Sequence, residues 1–513
     1  MMPITHRQLF CLLLPLACHA VRADWLSDIG HTKLAAELGT AMPTGAGIVL
    51  VQSEANNIVS PPNYLPQAGG PDPFAGIGTF AGKTFHPKSG AGTELGHAAA
   101  VATFFYGSGI GVARGATEIH NYTAIDFISR LTDGIAPEVF PGRVQNHSWA
   151  GSLGDAAEDL KAIRAFDFML DRDRRIAATG LSGGSLAPLL GSTYHAITAG
   201  TRSAVHSQTG TTTDGIGRMK PDLVVDVEYT SYASGVIAGS AAALLQEAIA
   251  SGNAAAERQQ VIKAVLIAAA SKQKLPQWQR DANAEPYDDV FGAGELDLYH
   301  AWHLLNAGQQ PHSSGVERSI QGWDFVTTTT NASGRRYFFT VPEGSVAETF
   351  SVALVWHREI TNDLGTYFSS LPDLTLKLYA ASGFSAGVLL SSSTSAVDNV
   401  EHLFLRHLPP GQYCLEVTAD TDAHDFALAW QAVPGIGPRL ASRITGGQLF
   451  VDATSLDPQA SYTLETAPDL TTGWTSVETF RTADGAPSFN HTWTSPSLPT
   501  TRQFFRLRWT PVR

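Results

Sequence analysis

Tyr229-Thr230-Ser231-Tyr232-Ala233-Ser234-Gly235-Val236-Ile237-Ala238-Gly239-Ser240-Ala241-Ala242-Ala243-Leu244-Leu245 is the stretch on which the fold reading turns. A serine follows a threonine, and the run of small and apolar residues behind it has the composition of a tightly buried helix. Ser231 then falls at the helix N-terminus, where free backbone N–H groups and the positive end of the dipole favour developing negative charge. A nucleophile that must stabilise an oxyanion fits that position. A serine that simply caps a core helix fits it equally well.

The flanking sequence decides what kind of sheet such a helix would cover. Gly45 to Glu54 reads as a buried strand ending in the polar residues Gln52, Ser53 and Glu54. Its apolar run suits a parallel sheet covered on both faces, in which functional groups gather beyond the strand carboxyl ends. A Gly/Pro-rich loop (Asn57 to Gly92) leads to His97, which opens a second small-residue helix running to Phe105. Strands are expected at Thr117–Ile119, Val144–Trp149 and Arg175–Thr179, with helices over Trp25–Leu38, Asp155–Asp171, Ala254–Ala270 and up to Leu305. Strands alternating with helices imply an α/β domain with a mainly parallel sheet. From about Ser319 to Val433 the pattern changes to short alternating segments, which predicts an antiparallel β-sandwich. Pro434 to Pro438 reads as a linker, and 439–513 as a small β module.

Composition bounds the rest. With 513 residues, two or three domains are expected, and 43% hydrophobic residues supply their cores. A formal net charge of −13 argues against nucleic acid or an anionic membrane as the main partner. His6 and Arg7, the apolar run Leu9 to Leu16 and the small-residue site before Asp24 read as an export signal over 1–23, too short to span a bilayer permanently. Cleavage after Ala23 would remove Cys11 and Cys18 and leave Cys414 without an intramolecular disulfide. A secreted or extracytoplasmic location follows as an expectation.

Four collinear segments resemble those of the subtilisin-like serine proteases. His97-Ala98-Ala99-Ala100-Val101-Ala102 is similar to that family's catalytic-histidine run, and Asn146-His147-Ser148-Trp149-Ala150-Gly151 to its substrate-binding strand. Lys220-Pro221-Asp222-Leu223-Val224 followed by Thr230-Ser231-Tyr232-Ala233-Ser234 resembles its nucleophile region, and Phe291 to Asp297 its closing Gly-x-Gly-x-Val-Asp segment. The resemblance implies a subtilisin-like parallel sheet flanked by helices over 24–306, a β-sandwich over 319–433 of the kind appended to some members, and the small module after it. It implies acyl transfer on a protein or peptide substrate, with Ser231 as nucleophile, His97 as base, and Ser148, Trp149 and Gly151 as substrate-binding residues. The C-terminal modules are expected to engage a cell surface or other proteins.

Two positions depart from the family. Straight alignment puts Gln52 where an aspartate is expected; Glu54, two residues on and on the same strand face, is the candidate acid, the alternative being no acid at all. The oxyanion asparagine is replaced by Leu181, and a shift of one residue brings the hydroxyl of Ser182 there instead. Losing the acid costs on the order of 10⁴ in rate, and losing the oxyanion donor roughly 10²–10³.

Two other functions compete. A degenerate fold used only for binding would show the same poor acid and oxyanion groups. Gly180-Leu181-Ser182-Gly183-Gly184 also fits Gly-x-Ser-x-Gly, the nucleophile elbow of α/β-hydrolases, with Asp222 or Asp226 and His300 or His303 as partners. No cofactor is expected. Asp373 and Asp398 are candidate structural calcium ligands, with solvated turn aspartates as the plainer account.

Overall fold

The computed structural model describes residues 24–56, 59–66, 80–182, 187–206, 213–280, 282–327, 334–419, 424–435, 438–456, 461–469, 473–481, 489–495 and 503–509. The export signal, with Cys11 and Cys18, lies outside the described residues.

Seven strands form one parallel sheet: β1 (Leu50–Glu54), β2 (Thr84–Pro87), β3 (Glu118–Thr123), β4 (Val144–His147), β5 (Ile176–Gly180), β6 (Ile197–Thr201) and β7 (Leu223–Val225). Their spatial order is β2-β3-β1-β4-β5-β6-β7, with parallel register at every pair. The chain leaves β1 toward one edge and returns to build the other, so the crevice beyond the ends of β1 and β4 is the topological switch point.

Eight α-helices accompany the sheet among the described residues: α1 (Asp24–Asp28), α2 (His31–Leu38), α3 (Gly96–Phe105), α4 (Ala124–Thr132), α5 (Ala156–Arg172), α6 (Thr230–Ala250), α7 (Gln259–Ala269) and α8 (Leu298–Asn306). Alternation along the strands decides which layer each side chain meets. Leu50, Ile119 and Val144 join the core containing α3 and α6, while Val51, Tyr122 and Ala177 join the one containing α4 and α5. Both faces of the central strands are thus covered, and their polar residues Gln52, Glu54, Gln145, Asn146 and His147 are buried with them. α6 is long and apolar enough to cross a membrane, but 78% of its most apolar window is buried in this protein.

Several boundaries differ from expectation for local reasons. The helix expected over Trp25–Leu38 is two helices, because Gly30 turns the chain at φ +71°. The first strand starts only at Leu50, since Gly45 and Gly47 form a turn at φ +74° and +76°. The strand from Val144 stops at His147, and the helical stretch expected over 254–270 is the single helix α7. Strands β2 and β6 and helix α4 were not foreseen; β2 has exposed and half-buried residues and no apolar run to announce it.

The β-sandwich has a four-stranded sheet (Gln321–Val326, Phe426–Gly435, Val346–Trp356, Val400–Leu408) and a five-stranded one containing Arg335–Val341, Gly411–Ala419 and Leu374–Ser382. Along Val346–Trp356, Phe350, Val352, Leu354 and Trp356 fill the sandwich interior, while Ala353 and Val355 face the α/β core. Ala427, Ala429 and Trp323 join them there, so the outer face of the four-stranded sheet packs on α7, whose eleven residues are all buried. The last module holds two three-stranded sheets around Val451, Tyr462 and Leu464, and Trp509 ties it to the sandwich through the His407 carbonyl at 2.8 Å.

Candidate active site

Glycines set the distance between α3 and α6. A Cβ at Gly235 would stand 3.1 Å from the Val101 carbonyl oxygen, and one at Gly239 would stand 3.0 Å from the Phe105 carbonyl oxygen. The offset is the same one turn later, so the two helices run parallel and in step. Phe104 and Tyr232 stack between them at 4.7 Å. One turn back from Val101 is His97, and one turn back from Gly235 is Ser231. Helical periodicity therefore brings His97 and Ser231 to the same end of the paired helices.

Ser231 does not cap its helix. Tyr229 holds the N-cap position without a side-chain hydrogen bond, and Ser231 is the second helical residue. The N–H groups of Tyr232 and Ala233 both donate to the Tyr229 carbonyl at 3.0 Å. The Thr230 and Ser231 N–H groups lie ahead of them, at the end where a helix has no acceptors of its own. Thr230 Oγ1 donates to the Leu181 carbonyl at 2.5 Å, fixing the start of α6 against the end of β5. Gly180 permits this contact: a Cβ there would lie 3.2 Å from the Thr230 carbonyl oxygen.

His97 is half-buried, its side chain 24% exposed, and its Nδ1 lies 2.8 Å from Glu54 Oε2. A carboxylate acceptor puts the proton on Nδ1 and leaves Nε2 as the available base. Burial alone would lower the imidazole pKa, but the Glu54 charge and hydrogen bond outweigh it and hold His97 above its ordinary value. Glu54 is fully buried, and its other oxygen accepts from Ser148 Oγ at 2.6 Å and Gln52 Nε2 at 2.8 Å. Gln52 takes no acid role; it is a donor to Glu54. Among the described residues no hydrogen bond joins the Ser231 hydroxyl to His97. Such bonds are often long without substrate and tighten in the complex.

The remaining expected residues are placed as follows. Ser148 and Trp149 are buried, and their side chains are engaged with Glu54 and, through Trp149 Nε1 at 3.2 Å, with Ser53 Oγ. The Gly151 N–H donates to the Ala187 carbonyl at 2.8 Å. Asn146 donates to Ser234 Oγ at 2.9 Å, and that hydroxyl donates to the Ser231 carbonyl, also at 2.9 Å, so the end of β4 braces the helical turn that bears Ser231. Leu181 is buried, with Cδ2 3.1 Å from where a Gly191 Cβ would be. Ser182 is buried beside residues 183–186, which lie outside the described residues.

The hydrolase-elbow alternative is not assembled. Leu189–Ser192, further along, form a short turn. Asp222 pairs with Lys220 and Lys263, Asp226 with Arg202, His300 with Asp297 and His303 with Glu37, so none of the proposed acid–histidine pairs forms. Asp398 accepts from the Met219 N–H at 2.9 Å and from Ser395 Oγ at 2.8 Å, so both of its oxygens are engaged by protein.

The sheet order, the helices on both faces and the site at the switch point define a subtilisin-like α/β architecture followed by β modules. Searches with the whole chain found no matching family model and no matching curated protein. Among solved structures the chain is similar to the prenylagaramide maturation protease PagA, at 17% identity over 53% of this chain and 98% of that one, with a TM-score of 0.36. A cold adapted subtilisin-like serine proteinase matches at 16% identity over 50% and 88%, TM-score 0.30. The epidermin leader peptide processing serine protease of Staphylococcus aureus matches at 12% identity over 59% and 83%, TM-score 0.35.

Proposed function

We propose that the protein is a serine endopeptidase that acts outside the cytoplasm through Ser231, His97 and Glu54. The observation that carries this is the Glu54–His97 contact at 2.8 Å, on a histidine one helical turn from Val101 just as Ser231 is one turn from Gly235. In the proposed reaction Ser231 Oγ attacks the peptide carbonyl carbon while His97 Nε2 takes its proton. Glu54 keeps the ring in the Nδ1–H tautomer and stabilises the imidazolium. The carbonyl oxygen becomes an oxyanion, for which the Ser231 N–H at the positive end of α6 is a donor and Ser182 the candidate second donor. Collapse expels the amine, which receives the proton from His97, and water then hydrolyses the acyl-enzyme by the reverse use of the same base.

Leu181 favours a second reading, a binding protein on the same fold, because a buried leucine cannot supply the side-chain donor. One experiment separates the two. Protein treated with a fluorophosphonate probe is digested and the labelled peptide identified by mass spectrometry, with Ser231→Ala as control. Labelling at Ser231 with cleavage of a general protein substrate is the expected result. Absence of both in folded protein supports the binding reading, and labelling at Ser182 overturns the assignment of the nucleophile. Export is tested separately by whether the protein recovered outside the cytoplasm begins at Asp24.

A further inference from the structure

The end of β1 carries an amide where a direct alignment would have an acid, and that amide has no spare donor. Gln52 is fully buried. One Nε2 hydrogen goes to Glu54 Oε1 at 2.8 Å and the other to the Ala98 carbonyl at 2.9 Å. Gln52 Oε1 accepts the hydroxyl of Tyr106, just beyond α3. This arrangement fixes the amide orientation, because a flipped Gln52 would turn its oxygen onto a carboxylate and a carbonyl at once. Ala98 directly follows His97, so the amide links the acid to the helical turn that bears the base.

Glu54 needs such a link more than an aspartate would. It starts two residues further along the strand, roughly 6.6 Å, and reaches back on a side chain with one more rotatable bond. Left alone, its carboxylate would sample several orientations. Gln52 and Ser148 both donate to Oε1, which leaves Oε2 to meet His97.

We propose that Gln52 is a positioning residue, an amide clamp that lets a glutamate displaced by two residues serve as the acid and that works only as an amide. This rests on the protease reading above. A carboxylate at position 52 would place two like charges at hydrogen-bond distance, so the pair would share a proton until high pH and then carry two charges beside His97. The titratable groups facing Glu54 are His97 from α3, Tyr106 after α3 and Tyr232 from α6. Burial, reinforced by the Glu54 charge, raises both tyrosines far above neutral, which leaves His97 as the group whose titration reads the change.

The test is the rate constant for fluorophosphonate labelling of Ser231, per folded molecule, as a function of pH in the full chain. Gln52→Glu is expected to move the rising limb down by about half a pH unit or more, because the proton shared with Glu54 withdraws part of the charge that raises the His97 pKa. Gln52→Met, similar in volume but without donors, is expected to lower the plateau about 10-fold to 100-fold through a misplaced carboxylate. Tyr106→Phe, which frees only the far side of the amide, is expected to give a smaller loss with the limb in place. A purely structural Gln52 would change the melting temperature alone, so folded variants with wild-type limb and plateau overturn the clamp. If wild type does not label at Ser231, the protease reading itself fails, an outcome distinct from labelling that ignores position 52. Should Gln52→Glu not fold, Gln52→Met and Tyr106→Phe still decide the matter.

Discussion

The Val101 carbonyl oxygen lies 3.1 Å from where a Gly235 side chain would begin, and the Phe105 carbonyl oxygen lies 3.0 Å from the same point at Gly239. Two backbones in such contact leave no room for a side chain at Gly235 or Gly239, and the separation of His97 from Ser231 is inherited from that spacing. At Gly239 a Cβ would also come within 2.8 Å of Val112 Cβ. Gly239→Val is therefore expected to cost about 1–3 kcal/mol through overpacking. Because it wedges the helices apart two turns from the site, labelling of Ser231 should fall even in the molecules that remain folded. Denaturant melts together with labelling rates check this; unchanged stability would mean that the helices do not touch there.

The Glu54–His97 pair gives two pH dependences of opposite consequence. The proposed mechanism requires His97 neutral, so labelling of Ser231 should rise with pH through the elevated His97 pKa. Glu54→Gln removes the charge that raises it, so the limb should move down while the rate falls by on the order of 10⁴. Stability runs the other way. A histidine whose folded pKa exceeds its unfolded value contributes fully below about pH 6.5, and the contribution fades as pH rises through the folded value. Melting wild type and Glu54→Gln at pH 5 and pH 9 should show their gap narrowing at the higher pH.

What the sequence makes legible here follows from periodicity. Period two placed Gln52 and Glu54 on one face, and the helical run after Ser231 marked the nucleophile's turn. Which of two polar neighbours meets a histidine depends on side-chain reach and on donors from elsewhere, and Ser148 and Tyr106 are distant in sequence from β1. Ser148 is expected to bind substrate because its segment resembles a substrate-binding strand, and no sequence pattern announces that its hydroxyl donates to Glu54. Past the strand end at His147 the side chains still alternate, Ser148 to Glu54 and Trp149 to Ser53, matching the alternation of β1. Nor did the alternation in Val346–Trp356 reveal that its second face is also buried, since Ser351, Ala353 and Val355 read as a mild outer surface.

That second face predicts that the sandwich is part of the α/β unit's core. α7 is buried along its whole length, with Gln431 Nε2 donating to the Ala268 carbonyl at 3.1 Å at its end. Asn399 adds a bond to the Tyr194 carbonyl at 3.1 Å. A chain truncated after residue 310 would expose the side of α7 that packs on the four-stranded sheet, at about 1.5–3 kcal/mol for each large apolar side chain returned to water. Such a loss is comparable with the whole stability of a domain. The truncated chain is expected to aggregate or to lack a cooperative melt, whereas removal of 439–513 should leave the melt of the remainder nearly unchanged. A sharp transition in the 310-residue chain would show that the α/β unit stands alone.

Asp398 lies in the same interface, and its charge opposes the packing around it. Burial pushes its carboxyl up to about 6, against the pull of the Ser395 hydrogen bond and the Arg218 charge. The native state therefore holds a proton that the unfolded chain releases near pH 4, so the stability tied to this group is complete below about pH 4 and is lost as pH rises through about 6. Asp398→Asn keeps an acceptor for the Met219 N–H and removes the charge. It should stabilise the protein at pH 8 by up to about 3 kcal/mol, less whatever the Ser395 hydroxyl loses on facing an amide, and make no difference at pH 4. Equilibrium denaturation at the two pH values measures this directly. An equal effect at both would mean that Asp398 ionises normally and that solvent reaches the seam between α/β core and sandwich.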